Sequence, residues 1–481
     1  MTSPPGSQAP CAVVLLAAAT LGLLVSCSSR ALAKGQSNGI LRGGLELAGT
    51  GIRSTALAAI RQPLTTARVA AGMAIDRTEE LVRGNIPFPL TARPRTTGTP
   101  GSPVFSQSLT RLGLPAPSLG TVDLMVGGEE FFRGLDEEIR QATEFIDIQI
   151  YIWDIDDIGV RFADLVRQRG REIPVRVIID DLGSTGAAAI APRTPPPPGF
   201  PPPSNMLRYL RTNSSLQARR TLNPLLILDH TKLLVFDGKT ATIGGMNIGR
   251  EYRTEWHDLM VRLRGPIVRQ LHPEFQKKWR ASGFFGDFAL PWTRKKPERI
   301  GRLHPPPSGA YPVRPLRTNS IDGRHEILDV TLEAIRASRT RVWIENPYVS
   351  SDRIVDALLD ARRRGVDVRV IIPDRTHFMD IANLSTARSL IRAGALVYHF
   401  PGMTHLKAMI CDGWATVGAA NLDTNSLQIN DELNISFWDR RAVGTLAERV
   451  FHKDFARSRI LAIEDTANLL APLLEPLADQ L

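Results

Sequence analysis

Five consecutive residues occur twice in this chain, as Val175-Arg176-Val177-Ile178-Ile179 and as Val368-Arg369-Val370-Ile371-Ile372. Each run is followed by a second shared motif, His230-Thr231-Lys232 in one case and His405-Leu406-Lys407 in the other. An apolar run and a polar motif matched in the same order imply an internal duplication, so whatever one copy builds the other must build again. From Val175 to His230 the chain advances 55 residues, and from Val368 to His405 it advances 37. The proline-rich stretch Pro192–Pro203 explains most of the excess. It belongs on a surface loop, because proline runs cannot join a sheet ladder.

Hydrophobic spacing around these landmarks alternates between helix and strand. Glu129–Ala142 places Phe131, Phe132, Leu135 and Ile139 on one helical face, and Phe145–Trp153 then reads as a buried strand. Ile158–Gln168 returns to helical spacing before the strand Ile173–Ile179. In the second copy Arg341–Ile344, Ile354–Arg364 and Val366–Ile372 repeat strand, helix and strand. The fold class expected is therefore α/β, with a largely parallel sheet sandwiched by helices. The domain limits read as 121–303 and 317–481, with the Pro/Gly-rich segment His304–Pro315 closing a linker over 304–316. Upstream, Ile40–Val82 has partly helical spacing and Thr91–Gly120 has a linker composition, within an N-terminal segment 28–120 of unread role.

The polar motifs lie where a hairpin would gather them. His230 and Lys232 share one face of a strand, Leu233–Phe236 bury the rest, and Asp237-Gly238 is a turn signal. Thr240–Ile243 would return beside the first strand and bring Gly244 and Asn247 back to His230. The second copy has Asp412, then Gly418 and Asn421, with five residues between Asp412 and Gly418 where the first copy has six. A shorter turn would absorb that difference. Two lysines and two asparagine amides fixed in advance can stabilise negative charge on a phosphate under attack without a metal. Glycines beside the asparagines would let backbone approach it closely. A neutral imidazole is a competent nucleophile and a protonated one can donate to a departing alkoxide, which makes paired histidines suitable for phosphodiester chemistry.

Both copies resemble the HxKxxxxD…GxxN signature of the phospholipase D superfamily, and the resemblance runs from about residue 122 to 457. It implies two phospholipase D-like α-β-α repeats packed as a pseudo-twofold pair around one active site, so that a monomer suffices and no cofactor or metal is called for. It implies a signature set of His230, Lys232, Asp237, His405, Lys407 and Asp412. Within that set His230 attacks phosphorus, His405 acts as acid and then as base, and the two aspartates hold turns rather than move protons. Asn247 and Asn421 would contact phosphate. Relatives place a carboxylate about 28 residues after each histidine to orient an imidazole, which here selects Asp258 and, 27 residues on, Glu432.

Gly245–Tyr252, Asn421–Leu427 and Asn430–Asn434 further resemble bacterial cardiolipin synthases, which move a phosphatidyl group onto an alcohol. The leading expectation is phosphatidyl transfer or hydrolysis of an anionic phospholipid substrate at a membrane surface. A phospholipase D-type nuclease, with nucleic acid as partner, is the alternative. A silent lipid-binding scaffold is a third reading, opposed by the intact His-Lys pairs.

Charge and cysteines bear on location. A formal net charge of +10, from 59 basic and 49 acidic side chains, favours polyanionic company without choosing among lipid, nucleic acid and phosphorylated substrates. The uncharged run Ala12–Val25 is too short to span a bilayer comfortably and reads as part of an export signal. It ends in Leu24-Val25-Ser26-Cys27, which resembles a lipoprotein lipobox, although residues 1–10 contain no Lys or Arg. A signal over 1–27 with lipidation at Cys27 would place the protein in a bacterial envelope, lipid-anchored and periplasm-facing, at the outer membrane rather than the inner. Cys411, between Ile410 and Asp412, reads as core. His377 follows a strand's carboxyl end, where a substrate contact is one reading. Asp180-Asp181 reads as lining or structure, and Tyr151 and Tyr348 as packing at matched strand ends.

Overall fold

The computed structural model describes residues 37–72, 95–188, 192–289, 304–374 and 380–466. The signal segment with Cys27, and His377, lie outside them. The first repeat contributes β1 (Ser118–Val126), β2 (Ile146–Ile150), β3 (Val175–Asp180), β4 (Gln217–Thr221), β5 (Leu233–Phe236), β6 (Thr240–Gly244) and β7 (Leu259–Arg264). The second contributes β8 (Tyr311–Asn319), β9 (Arg324–His325), β10 (Arg341–Glu345), β11 (Asp367–Pro373), β12 (Leu396–Phe400), β13 (Ala408–Cys411), β14 (Trp414–Gly418), β15 (Glu432–Phe437) and β16 (Arg459–Ile460).

All of these strands join one continuous sheet whose centre is the antiparallel contact of β1 with β8. Outward from that seam the order is β1-β7-β6-β5-β2-β3-β4 on one side and β8-β15-β14-β13-β10-β11-β12 on the other. The two orders correspond strand for strand, which is the duplication seen as topology. The sheet is mixed rather than largely parallel: only β2-β3-β4 and β10-β11-β12 run parallel. The reason is local. β5 and β6 are joined by three residues and β13 and β14 by two, and such short connections force antiparallel pairing. The missing residue of the second copy is thus absorbed in its turn, Asp412-Gly413.

Packing follows the two faces. One apolar cluster spans the seam and takes in Val261, Leu271, Phe275, Trp343, Ile435 and Phe451, so neither repeat closes its core alone. Helix Ile267–Ala281 lays the buried stripe Ile267, Leu271, Phe275 and Trp279 on that face. Each repeat keeps a further core on its opposite face, around Phe132 and Phe162 in the first and Leu328 and Leu358 in the second.

Two stretches of linker composition are more ordered than composition suggests. In the first, Pro103–Arg111 is a helix capped by Ser102, and Phe105 and Leu109 enter the core of the second repeat. The buried Arg314 guanidinium donates to Ser106 O at 2.7 Å and to Pro115 O, tying the stretch to β8. In the second, Pro312 and Pro315 lie inside β8. β8 meets β1 only up to Val313 and β15 only from Val313 onward. Arg317 N, on the same side as residue 315, donates to Glu326 rather than to β15. Each proline therefore faces a side where no ladder partner stands, and no hydrogen bond is lost. Residues 192–205 form neither helix nor strand, as the proline run requires.

Helix Ser37–Arg61 docks on the first repeat. Arg53 pairs with Asp181 at 3.0 Å and Ser54 Oγ accepts from Asn223 N at 2.8 Å. Asn223 in turn donates to Ile227 O and Asp180, so this helix braces the loop that delivers His230. Among the described residues, no helix is long and apolar enough to cross a membrane.

Candidate active site

The residues that end the loops before β5 and β13 face each other across the seam. Asp431 N donates to Leu228 O at 2.9 Å, and His405 N donates to His257 O at 2.7 Å. These backbone bonds sew the segment before each motif histidine to the segment before the other repeat's orienting acid.

The side chains cross in the same way. His230 Nδ1 lies 2.9 Å from Glu432 Oε1 and 3.0 Å from Oε2, and His405 Nδ1 lies 2.7 Å from Asp258 Oδ2. Each acid therefore serves the histidine of the other repeat, which its count from its own histidine does not reveal. Burial pushes His230 well below its usual range, helped by the charges of Lys232 and Lys407. Burial pushes Glu432 well above its own, against the pull of Lys232. The shift of His230 favours the neutral imidazole, and with its one ring proton on Nδ1, donated to a Glu432 oxygen, the Nε2 lone pair is available. Asp258 is raised to about 7 by burial, opposed first by Lys407.

Lys232 and Lys407 are nearly inaccessible, and their ammonium groups donate to His230 O at 2.8 Å and His405 O at 2.5 Å. Burial is the first cause lowering Lys232 to about 7 and Lys407 to about 8. Lys232 feels the charges of Glu432, Lys407 and Asp258, and Lys407 feels Asp258 and Glu432, so the two half-sites form one electrostatic centre. Aromatic rings wall it. Tyr151 meets His230 edge-on at 4.7 Å and lies 5.0 Å from Lys232 Nζ, while Trp256 and Tyr252 stand 5.0 and 5.9 Å from His405.

The other candidates divide. Asp237 and Asp412 lie at the far ends of β5 and β13, away from the histidines. Asp237 accepts from Thr143, Glu144 and Phe145 N, and Asp412 from Arg339, Thr340 and Arg341 N. Both have positive φ, 55° and 49°. They fix the starts of β2 and β10 and are not part of the reacting set. Asn247 is fully buried. Its Oδ1 accepts from Ile152 N at 3.0 Å and its Nδ2 donates to Tyr252 Oη at 2.8 Å, so the amide braces a loop instead of facing the centre. Asn421 hydrogen-bonds Asp423, yet its Oδ1 is buried and receives no donor. Gly245 makes room for a carboxylate rather than a phosphate, since a Cβ there would collide with Asp258. Asp180 accepts from Gly183 N, Asn223 Nδ2 and Asp229 N, a structural role in which burial raises it to about 7. Cys411 is a buried free thiol of the second core.

Two features of the site were not read from the sequence. Asp423, raised by burial to about 6, adds a charge that acts on Lys407; its two-residue distance from Asn421 was the available signal. Lys278, between Asp229 and Asp431, comes from helix Ile267–Ala281 with nothing local to mark it.

The model of the family described as "Cardiolipin synthase, PLD-like domain" matches residues 135–279 and 331–455. Probable cardiolipin synthase YwiE of Bacillus subtilis is 29% identical over 371 residues, which cover 74% of this chain and 70% of that protein. Cardiolipin synthase A of Pseudomonas putida is also 29% identical, over 75% of this chain and 74% of its own length. Among solved structures, phosphatidylserine synthase of Haemophilus influenzae superposes with a TM-score of 0.55 over 78% of this chain and 95% of that one, at 14% identity, a likeness of fold. Matched over more than half its length, in both repeats and across both His-Lys motifs, the chain belongs to the cardiolipin synthase PLD-like domain family.

Proposed function

We propose that this protein is a phosphatidyltransferase acting on membrane phospholipids through a phosphohistidine at His230. The observation that carries the proposal is the crossed pair of imidazole–carboxylate contacts around two buried lysines. In the first step His230 Nε2 bonds to phosphorus, the bond to the departing glycerol oxygen breaks, and His405 gives that oxygen its proton. In the second, His405 takes the proton of an incoming alcohol, whose oxygen bonds to phosphorus as the N–P bond breaks. Lys232 and Lys407 supply the charge that the phosphoryl oxygens need in both steps. Asp258 and Glu432 hold the imidazoles in one tautomer. Water in place of the alcohol gives hydrolysis from the same intermediate.

The names of the similar cardiolipin synthases support a lipid substrate. The lipobox-like Leu24–Cys27 and the net charge of +10 support a lipid-anchored envelope protein at an anionic surface. The deciding experiment offers the purified protein labelled phosphatidylglycerol with an alcohol acceptor and, separately, labelled single-stranded DNA. Transfer to the alcohol supports the proposal, and cleavage of DNA without turnover of lipid rejects it. Labelling with a fatty acid that disappears in Cys27→Ser would support the anchor.

A further inference from the structure

The pseudo-twofold axis sets equivalent residues behind the two motif histidines, and their charges do not match. Asp431 N bonds Leu228 O, two residues before His230, and His257 N bonds Met403 O, two residues before His405, so Asp431 and His257 are counterparts. Gln149 faces Leu233 across β2 and β5, and Glu345 faces Ala408 across β10 and β13, which makes them counterparts as well. Asp229 corresponds to Thr404.

Behind His230 the two acids share one buried ammonium. Lys278 Nζ touches Asp431 and stands 3.8 Å from Asp229 Oδ2, and the Gln149 amide donates to Asp229 at 2.9 Å. Behind His405 the corresponding helix, His452–Arg457, supplies an acid instead. Asp454 Oδ2 lies 2.8 Å from His257 Nε2, beside the carboxylate of Glu345. Thr404 Oγ1 donates to Glu345 Oε1 at 2.5 Å, while Glu345 Oε2 is buried with no N–H or hydroxyl donor, and the acid's other side-chain partner is the Asp454 carboxyl. Arg457 reaches Asp454 Oδ1 only at 3.8 Å and from a position 56% exposed. Burial, with the charge of Asp454, drives Glu345 well above the ordinary carboxylate range. Two adjoining buried carboxyl groups, held together by no more than a proton, offer oxygens to a cation that would displace it.

We propose that His257, Glu345 and Asp454 form a binding site for a divalent cation of the zinc class, joining the first repeat to the second. One ligand atom from each residue lies within 4.8 Å of the other two. Donors around a tetrahedral zinc, with bonds of about 2 Å, stand about 3.3 Å apart, a closure within reach of side-chain rotation. One imidazole and two carboxylates suit zinc and balance its charge. The site lies outside the reacting centre. It would fix the segment bearing Asp258, since His257 O also receives His405 N.

The test uses the full purified chain. Elemental analysis should find about one zinc per chain, chelation should remove it, and re-addition should raise the melting temperature by several degrees. Cobalt(II) in its place should give a visible absorption band. Glu345→Gln, which keeps the shape and the contact with Thr404, should abolish the band and the zinc response. Its melting temperature without zinc should not fall below that of the stripped wild type. Asp454→Asn should lose the zinc response too, whereas His452→Gln, at an exposed histidine, should keep it. A stripped wild type indifferent to zinc and cobalt, with only a proton between the acids, overturns the proposal. So does metal binding that survives both Glu345→Gln and Asp454→Asn.

Discussion

Glu432 of the second repeat holds His230 of the first, with its Oε1 2.9 Å from the imidazole Nδ1. Glu432→Gln keeps the shape of the side chain, but its amide can turn an N–H toward Nδ1 where the acid oxygens accept, and so no longer fixes the Nδ1–H tautomer. The expected result is a fall in kcat of roughly 10²–10⁴-fold with little change in KM. Asp258→Asn should act likewise on His405 and leave residual turnover, whereas His230→Ala should leave none. Steady-state kinetics on phosphatidylglycerol check this. Equal abolition by all three would reject the division between reacting and positioning groups.

The pH profile follows from the lysines. A lowered lysine pKa means that positive charge is lost early as pH rises, so kcat/KM should decline above about 7 to 8, the range in which Lys232 and Lys407 titrate. This is not unfolding. Unfolded lysines keep their protons to about 10.4, so the folded state binds fewer protons between the two values, and these lysines make stability rise with pH there. Activity flat to pH 9.5 would contradict the assignment.

Asp258 acts in the opposite direction and in another window. Its pKa is raised from 3.8 to about 7, so the folded state holds a proton that the unfolded state releases. The associated stability is complete below pH 3.8 and is lost as pH rises through 7. Asp258→Asn should flatten this decline in urea-denaturation midpoints measured between pH 4 and 7.

Asp237 carries structure instead of chemistry. Asp237→Ala removes the acceptor for three backbone N–H groups and leaves alanine at a φ of 55°. A loss of about 2–4 kcal/mol in unfolding free energy is expected, with kcat of the folded fraction unchanged. A selective collapse of kcat at unchanged stability would return Asp237 to the reacting set.

What the sequence made legible was whatever repeats or has fixed spacing. The Val-Arg-Val-Ile-Ile runs marked β3 and β11, the His-x-Lys pairs marked the centre, and the one-residue deficit of the second hairpin foretold its shorter turn. Contacts between distant segments left no local trace. Nothing near Glu432 says that it reaches His230 across the seam, or that Lys278 sits between Asp229 and Asp431. Composition misled where tertiary contacts override it. Pro312 and Pro315 read as linker yet lie in β8, because their missing donors face no partner there. Asn247 and Gly245 sit in a motif that suggests phosphate contact, while their geometry serves Tyr252 and Asp258.

The exchanged acids also bear on how such a molecule can be divided. Either half on its own would carry a histidine without its carboxylate and a carboxylate without its histidine. Separately expressed halves should thus be silent until mixed, and any opening of the seam would switch off both imidazoles together, with no half-competent state between.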